Sequence, residues 1–352
     1  MQYDDASRRN ERRRFLQAGL LSASAVIARP SRASEPKGER FRFQQVHMGA
    51  PWELVLYAAS EKAANSAANA AFARIAALDA CLSDYQADSE LSRLNMTAGT
   101  GKAIAVSDDL WRIVTAAHDL STATDGAFDI TVGPLVRLWR RARRYKELPR
   151  PEWLAEARAA VGYRLLKLDR TQQTIELTRP DMRLDPGGIA MGYAADEALQ
   201  VLKQYGVTRA MVDASGDVVC GDAPPDRPGW IVGIAVTGGK GGKPTRYVSL
   251  ANAALTTSGD TYQFVEVNGV RYSHIVDPRT GVGLTNRATV SIVGPDGITA
   301  DSVATAASVL GPDRGAKYIE SRANLAGHFM WTSDDRIETR ETTRLRSYIT
   351  NG

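Results

Sequence analysis

LDPGGIAMGYAAD, from Leu184 to Asp196, joins a glycine-containing turn to the start of a helix. Asp185 to Gly188 has the composition of a turn, because proline fixes φ and glycine permits conformations that other residues avoid. The residues that follow predict a helix from Tyr193 to Tyr205, which Gly206 ends. Two glycines in front of a helix also let the backbone approach a pyrophosphate. The stretch therefore has both a structural and a ligand-binding interpretation.

The segments on either side of this helix alternate between helix and strand patterns. Further helices are predicted at Lys62–Leu82, after the N-cap Ser107, and at Asp301–Leu310, which Gly311 ends. Strands are predicted at Phe41–Tyr57 (one or two strands), Ala210–Val212, Val218–Cys220, Trp230–Val236, Tyr247–Leu250, Tyr262–Val267, Arg271–Val276 and Ala288–Val293. Hairpin runs of strands separated by helices indicate an α+β fold with a mixed, largely antiparallel sheet.

The composition is that of a globular protein, and the net charge is concentrated at the N-terminus. The 352 residues are 43% hydrophobic and 24% charged, so the chain can bury an extensive core. The formal net charge of +4 equals that of residues 1–33, where seven arginines outnumber three acidic residues. The remainder is neutral in sum, and no nucleic-acid partner is expected from it.

The N-terminus has the pattern of a twin-arginine export signal. Arg12 to Leu16 reads RRRFL, an apolar run continues to Ala28, and small residues surround Ser31–Ser34. The apolar run is shorter than the about 20 residues that a membrane span needs. We therefore expect residues 1–33 to be an export signal, residues 34–40 a linker, and residues 41–352 one periplasmic domain. A disordered basic tail or a short anchor helix is the alternative.

Several common site motifs do not occur in the sequence. It has no GxGxxG after a strand, no GxSxG, no CxxC and no HExxH, which excludes the usual Rossmann, serine-hydrolase and zinc patterns. The glycine-rich stretch Thr237–Thr245 lacks the Ser or Thr that follows the lysine of a phosphate loop, so an exposed hairpin loop is predicted. We interpret the charged run Arg137–Lys146 as a solvated helix face, with a surface for an acidic partner as the alternative. Cys81 and Cys220 could form a disulfide or remain thiols.

Five short segments combine acidic, glycine and hydroxyl residues more densely than packing requires. They are SDYQADSELSRLN (83–95), TDGAFDITVGPL (124–135), LDPGGIAMGYAAD (184–196), TTSGDTYQF (256–264) with YSHIVDPRTG (272–281), and TADSVATAASVLG (299–311). If Asp301 begins a helix, Thr305 lies one turn further on the same side, and such a pair of oxygen groups suits Mg²⁺. Each segment also has a structural explanation when it is taken alone.

In this order and spacing, the five segments resemble the ApbE family of FAD:protein FMN transferases, and the resemblance covers roughly residues 45–330. It implies two lobes around an FAD-binding cleft, and a Mg²⁺-dependent enzyme that moves the FMN moiety of FAD onto a threonine hydroxyl of an acceptor protein and releases AMP. The implied metal site is Gly188, Asp301 and Thr305. His274 matches the histidine that assists the hydroxyl nucleophile. The implied FAD contacts are Met48, Tyr85, Ala127, Phe128, Asp129, Asp185, Met191, His274 and Ile275, with Met191 standing where the family usually has lysine or glutamate.

Other functions remain open at this stage. The same site could act as an FAD pyrophosphatase, with water in place of the threonine, or the protein could be a non-enzymatic periplasmic FAD-binding or assembly factor. Together with export, the resemblance implies an extracytoplasmic acceptor protein. A subunit of a membrane electron-transfer complex and a nitrous-oxide-reductase maturation factor are two such acceptors.

Overall fold

The structure is a computed structural model that describes residues 38–234, 244, 246–259, 263–333 and 336–351. The predicted export signal at 1–33, most of the predicted linker, most of the glycine-rich stretch at 237–245, residues 260–262 of the TTSGDTYQF segment, and the last two residues of the predicted strand Trp230–Val236 lie outside the described residues. Residues 37–352 form one compact unit. None of the described helices combines the length and the apolar character needed to cross a membrane.

Helices and strands alternate along the described chain. The helices are α1 (Glu61–Leu82), α2 (Glu90–Asn95), α3 (Asp108–Ala123), α4 (Gly133–Tyr145), α5 (Pro151–Ala159), α6 (Ala190–Gln204) and α7 (Gly297–Glu320), with 3₁₀ turns at Tyr163–Leu165 and Thr343–Ser347. The strands are β1 (Glu39–His47), β2 (Ala50–Ala58), β3 (Ile104–Ala105), β4 (Leu166–Asp169), β5 (Thr174–Leu177), β6 (Ala210–Ala214), β7 (Asp217–Cys220), β8 (Trp230–Gly233), β9 (Tyr247–Leu250), β10 (Ala253–Gly259), β11 (Phe264–Val267), β12 (Val270–Ser273), β13 (Ala288–Gly294), β14 (Ala326–Ser333), β15 (Arg336–Glu341) and β16 (Ile349–Thr350).

One eight-stranded sheet in the order β1-β2-β6-β7-β10-β13-β14-β15 forms the centre of the molecule. Smaller sheets have the orders β16-β9-β8, β3-β5-β4 and β11-β12. The ladders between the named strands are antiparallel. The predicted α+β fold is confirmed.

Alternate residues of the central sheet belong to different hydrophobic clusters. Leu54 and Leu56 of β2 pack with α1, α6 and α7, whereas Val55 between them packs with Trp230 and Val248 of the three-stranded sheet. Successive side chains of a strand point to opposite faces, so the sheet is covered on both sides. A third cluster joins α4 to the β11–β12 hairpin through a small set of apolar residues that includes Trp139. This smaller cluster is separate from the main hydrophobic core.

Several element boundaries follow from residues that are plain in the sequence. α1 begins after Ser60 and α3 after the predicted N-cap Ser107, and in both cases the serine hydroxyl accepts a first-turn N–H. Gly311 has a φ of 76° and interrupts α7 directly after the predicted helix end. α6 begins at Ala190, before the predicted start at Tyr193. β10, β14 and β15 have no counterpart among the predicted strands.

Both cysteines are free thiols, which resolves the alternatives left by the sequence. The Sγ of Cys81 donates to Oε2 of Glu90 at 3.1 Å, and burial raises the pKa of Cys81 to about 12. Cys220 is buried in the central sheet, and burial raises its pKa as well.

Both thiols should react slowly in the native protein, because the pKa of each is raised. We expect a thiol titration without reductant to find both thiols after denaturation, and slow labelling before it at mildly alkaline pH, because the thiolate is the reactive form. Loss of both thiols in the denatured, non-reduced protein would contradict this arrangement.

Candidate functional site

The N-terminal ends of α6 and α7 are joined by two reciprocal carboxylates. Oδ2 of Asp301 on α7 accepts from the backbone N–H of Gly192 on α6 at 3.0 Å. Asp196 on α6 in turn accepts from the N–H groups of Gly297 at 2.6 Å and Ile298 at 2.9 Å on α7. The first N–H groups of a helix have no partner within the helix, so each carboxylate satisfies donors of the other helix.

The two helices touch through glycine backbone. A Cβ placed on Gly192 would lie 2.1 Å from the carbonyl oxygen of Gly297, and one on Gly297 would lie 2.3 Å from that of Gly192. The contact between the two helices therefore explains why Gly192 and Gly297 are glycines and why Asp196 is an aspartate. It also fixes where Asp301 lies.

Gly188, Asp301 and Thr305, the three residues of the predicted metal site, come together beside the contact between α6 and α7. Asp301 and Thr305 lie one turn apart on α7, and a Cβ on Gly188 would lie only 2.7 Å from Oγ1 of Thr305. The hydroxyl of Ser258, at the end of β10, lies 3.1 Å from the Thr305 hydroxyl. Burial raises the pKa of Asp301, with the Gly192 N–H acting in the opposite direction. The backbone of Gly188 can therefore approach Thr305 because it carries no side chain.

The donor atoms around Asp301 fit Mg²⁺ by their chemistry. Asp301 supplies a carboxylate and Thr305 a hydroxyl, and the Gly188 backbone lies beside Thr305. Carboxylate, hydroxyl and carbonyl oxygens are the hard ligands that Mg²⁺ takes together with water and phosphate. Within the described ranges, no three His, Cys, Asp or Glu side chains come together as a metal-binding group. A cation at this position would draw on the hydroxyl and carbonyl oxygens besides Asp301.

A second buried carboxylate, Asp217, was not singled out from the sequence. It begins β7, and its Oδ1 accepts from the backbone N–H of Thr257 at 3.3 Å. Burial raises the pKa of Asp217 well above its ordinary value, and the charge of Asp301 raises it further. The only sequence signal for Asp217 is its place after the Ser215-Gly216 turn, a place that a turn alone also explains.

An arginine on α4 bridges two carboxylates at the predicted FAD residues. Arg140 donates through Nη2 to Oδ2 of Asp185 at 3.0 Å and through Nη1 to Asp84. Its guanidinium carbon lies 4.5 Å from the ring centre of Tyr85, whose side chain is 77% exposed. Burial raises the pKa of Asp185, and the negative charge of Asp84 raises it further. The positive charge of Arg140 lowers it in part.

The SDYQADSELSRLN segment holds these groups in place. The Ser83 hydroxyl accepts from the N–H groups of Tyr85 at 3.3 Å and Gln86 at 3.2 Å. The Asn95 side chain accepts from the N–H of Leu184 at 2.7 Å and donates to its carbonyl at 3.3 Å, directly before Asp185. We use the name Arg140 cluster for Arg140, Asp84, Asp185 and Tyr85. Both ends of the segment therefore position residues of this cluster.

The sequence predicts a solvated helix face for Arg140, and for this residue that prediction is wrong. Its carboxylate partners precede and follow it by 56 and 45 residues, so no local pattern could reveal them. Arg143, on the same helix, donates to the side chain of Gln263 at 2.8 Å. Arg141 and Arg144 of the same run are exposed, which fits both interpretations of the charged run.

Other predicted FAD residues have varied environments. Met48 and Gly49 form the β1–β2 turn with φ values of 52° and 72°, and the Met48 N–H donates to Asp79 at 3.1 Å. Ala127 and Phe128 are buried. Met191 is half-buried and packs against the main core, as an apolar side chain does.

Asp129 uses both carboxylate oxygens within the chain. Oδ1 accepts from the N–H of Thr131 at 2.9 Å and from its hydroxyl at 2.6 Å, and Oδ2 accepts from the N–H of Tyr163 at 2.8 Å. Burial raises the pKa of Asp129, and these hydrogen bonds, which lower it, do not fully compensate. The carboxylate thus fixes the loop that carries Ala127 and Phe128.

His274 lies just after β12, half-buried, beside the backbone of Gln263. Nδ1 of His274 is 3.1 Å from the Gln263 carbonyl oxygen, and its backbone N–H donates to the same oxygen at 3.0 Å. A carbonyl oxygen only accepts, so Nδ1 carries the proton and the lone pair of the neutral ring is on Nε2. Ile275 follows, and its N–H donates to the Ser273 hydroxyl at 3.0 Å.

Helix α4 connects the histidine hairpin to the Arg140 cluster. Nε1 of Trp139 donates to the carbonyl of Gly281 at 2.8 Å, and the Trp139 ring lies 5.1 Å from that of Tyr272. Arg143 binds Gln263, whose carbonyl accepts from His274, while Arg140 binds Asp185. One helix therefore sets the position of the YSHIVDPRTG hairpin relative to Asp185.

Comparison with known proteins adds an independent finding. A family model described as ApbE family matches residues 48–329. An FAD:protein FMN transferase of Haemophilus influenzae is 30% identical over 275 residues, which are 76% of this chain and 79% of that protein. One of Escherichia coli K12 is 28% identical over 344 residues, 95% of this chain and 97% of that protein. The structure of the flavin transferase ApbE from Vibrio cholerae superposes with a TM-score of 0.79 at 27% identity, covering 88% of this chain and 99% of that one.

The family match at residues 48–329 includes all five segments that carry the resemblance. The predicted resemblance is confirmed, and this chain belongs to the ApbE family.

Proposed function

We propose that this protein is an FAD:protein FMN transferase, an enzyme that takes FAD as substrate and transfers its FMN moiety to an acceptor protein. The names of its relatives support the activity. The observation that carries it in this chain is the oxygen cluster of Gly188, Asp301 and Thr305, held by the reciprocal capping of α6 and α7. Such a cluster suits a reaction at a pyrophosphate.

The reaction proposed in detail is attack by a threonine hydroxyl of the acceptor on the FMN phosphorus of FAD. The bond from Oγ to phosphorus forms, the pyrophosphate bond breaks, and AMP leaves. Nε2 of His274 takes the hydroxyl proton, because the Gln263 carbonyl keeps the other ring nitrogen protonated. Mg²⁺ held by Asp301, Thr305 and the Gly188 carbonyl would supply charge neutralisation at the pyrophosphate.

FAD itself would be oriented by the Arg140 cluster and the predicted contact residues. The Arg140 guanidinium stacks on one face of the exposed Tyr85 ring. The other face of the ring is then available to stack on an aromatic ring of FAD. Arg140 also offsets part of the negative charge of Asp84 and Asp185, which reduces their repulsion of a substrate with two phosphates.

Replacement of Arg140 with alanine should weaken FAD binding. It leaves two carboxylates without their cation near an anionic substrate and removes the support of Tyr85, so we expect the Kd for FAD to rise at least about tenfold. Quenching of flavin fluorescence measures this. Arg141→Ala, on the exposed face of the same helix, is the control and should leave the Kd for FAD unchanged. Equal affinities of the Arg140 variant and the unchanged protein would contradict the role.

The proposed compartment is the periplasm, supported by the RRRFL pattern and the short apolar run of residues 1–33. An exported enzyme of this kind would act on an extracytoplasmic acceptor, such as a subunit of a membrane electron-transfer complex or a nitrous-oxide-reductase maturation factor. Fractionation of cells that express the whole chain, with and without an Arg12→Lys, Arg13→Lys and Arg14→Lys replacement, tests the route. Equal export of both chains would exclude it.

The activity is tested by incubating residues 37–352 with FAD, Mg²⁺ and an acceptor domain that carries a threonine flavinylation motif. We expect AMP to appear only when acceptor and Mg²⁺ are both present. Formation of AMP and free FMN without acceptor would instead identify an FAD pyrophosphatase. Bound FAD with no product would identify a binding or assembly factor.

A further inference from the structure

The outer surface of α4 and α5 is unusually basic for a chain that is neutral beyond its N-terminus. Residues 137–150 contain seven basic residues and one acidic residue, Glu147. Arg140 and Arg143 face the candidate site, whereas Arg141, Arg144 and Arg150 are exposed. We use the name basic–aromatic surface for Arg137, Arg141, Arg144, Tyr145, Arg150 and Trp153.

Aromatic rings hold three arginines of this surface, Arg141, Arg144 and Arg150, in a fixed arrangement. The guanidinium of Arg141 lies 4.6 Å from the ring centre of Tyr145 and 5.3 Å from that of Trp153. Arg150 lies 4.7 Å from the Trp153 ring centre, and Arg144 lies 5.6 Å from that of Tyr145. Such stacking leaves the edges of each guanidinium available for hydrogen bonds to carboxylates.

These arginines have no carboxylate partner in the part of the chain that the structure describes. The described ion pairs include those of Arg140 with Asp84 and Asp185, but none involves Arg137, Arg141, Arg144 or Arg150. Tyr145 is 51% exposed beside them. A group of stacked, unneutralised guanidinium groups with an exposed ring is suited to an acidic peptide segment.

The basic–aromatic surface continues directly from the wall of the candidate site. Arg144 follows Arg140 by four residues on α4, so it lies one turn further along nearly the same side of the helix. Arg143, between them in sequence, holds Gln263 and through it the His274 hairpin. A segment bound along Arg141 and Arg144 would therefore reach the site edge at Arg140 within about one helical turn, roughly 5 Å.

We propose that the basic–aromatic surface docks an acidic segment of the acceptor protein and so presents the acceptor threonine to His274. This proposal rests on the transferase function proposed above and adds the chemistry of acceptor recognition. Charge complementarity selects this occupant, because the guanidinium groups lack carboxylates in the described chain, whereas the rest of residues 34–352 is acidic in sum.

The test uses a threonine acceptor peptide flanked by glutamates and the same peptide with glutamines in their place. The Arg141→Glu/Arg144→Glu protein should raise the KM for the glutamate peptide at least about tenfold and change kcat less. The effect should shrink between about 0.02 M and 0.5 M salt because exposed charges are screened. Arg141→Gln/Arg144→Gln should give an intermediate KM.

Arg322→Glu is the matched control, because Arg322 is also exposed and stacks on Tyr318 at 5.0 Å, but it lies just after the C-terminal end of α7. It should leave the KM unchanged. Equal KM values for both peptides, or equal values in the unchanged and double-glutamate proteins, would overturn the docking proposal.

Anisotropy of a glutamate peptide with valine in place of the threonine measures docking without any transfer. Salt-sensitive binding of this peptide that the double-glutamate protein loses would support the surface. If the same unchanged protein made neither AMP nor labelled threonine peptide, the transferase function would fail while the docking surface remained. Absence of such binding would count against the surface whether or not transfer occurs.

Discussion

Replacement of His274 with alanine is expected to slow FMN transfer at least about 100-fold, the lower end of the usual contribution of a general base. The threonine hydroxyl is a weak nucleophile until its proton is removed, and the Gln263 carbonyl fixes the ring with Nε2 as the accepting atom. FAD affinity should fall much less than the transfer rate, because His274 is an implied FAD contact but a base contributes to the transition state more than to ground-state binding. Single-turnover transfer and a separate FAD titration measure the two quantities.

His118 supplies the control for this prediction. It is another half-buried histidine, which meets the Tyr163 ring edge-on at 5.7 Å and has no proposed part in the chemistry. His118→Ala should transfer FMN at a rate near that of the unchanged protein. Transfer by His274→Ala at the unchanged rate, with FAD bound, would remove His274 from the mechanism.

Replacement of Gly192 with alanine is expected to be the most destabilising single change at the site. The new Cβ would lie 2.1 Å from the Gly297 carbonyl oxygen and 2.8 Å from Cβ of Asp301, so α6 and α7 must separate. The cost should reach or exceed the roughly 3 kcal/mol at the upper end of ordinary overpacking. The gain in helix propensity, about 1 kcal/mol, does not offset it.

Urea unfolding of Gly192→Ala measures this cost, and Gln200→Ala on the exposed side of the same helix is the control. The control should change the free energy of unfolding by less than about 0.5 kcal/mol. A Gly192→Ala protein as stable as the control would show that the two helices do not need this contact. Separation of the helices should also displace Asp301, whose carboxylate binds the Gly192 N–H.

The local parts of the fold and site could be predicted from the sequence. The step of one helical turn from Asp301 to Thr305, the N-cap at Ser107 and the break at Gly311 each depend on neighbouring residues. The α+β class followed from hairpin runs in the same way. Helical and strand periodicity carries such short-range information directly.

The connections between distant segments could not be predicted in this way. Asp196 caps a helix 101 residues later, and nothing in its own neighbourhood shows that role. Arg140 resembles its exposed neighbours in the charge run, and only the folded chain brings it to Asp84 and Asp185. In the sequence Gly188 has the pattern of a turn residue, and only the folded chain shows that its backbone lies against Thr305.

The most direct measurement of the central claim is the intact mass of the acceptor domain after incubation with residues 37–352, FAD and Mg²⁺. The account predicts a covalent gain corresponding to one FMN, one AMP released for each acceptor labelled, and no gain when the acceptor threonine is replaced by valine. An acceptor of unchanged mass in the presence of bound FAD and Mg²⁺ would contradict it.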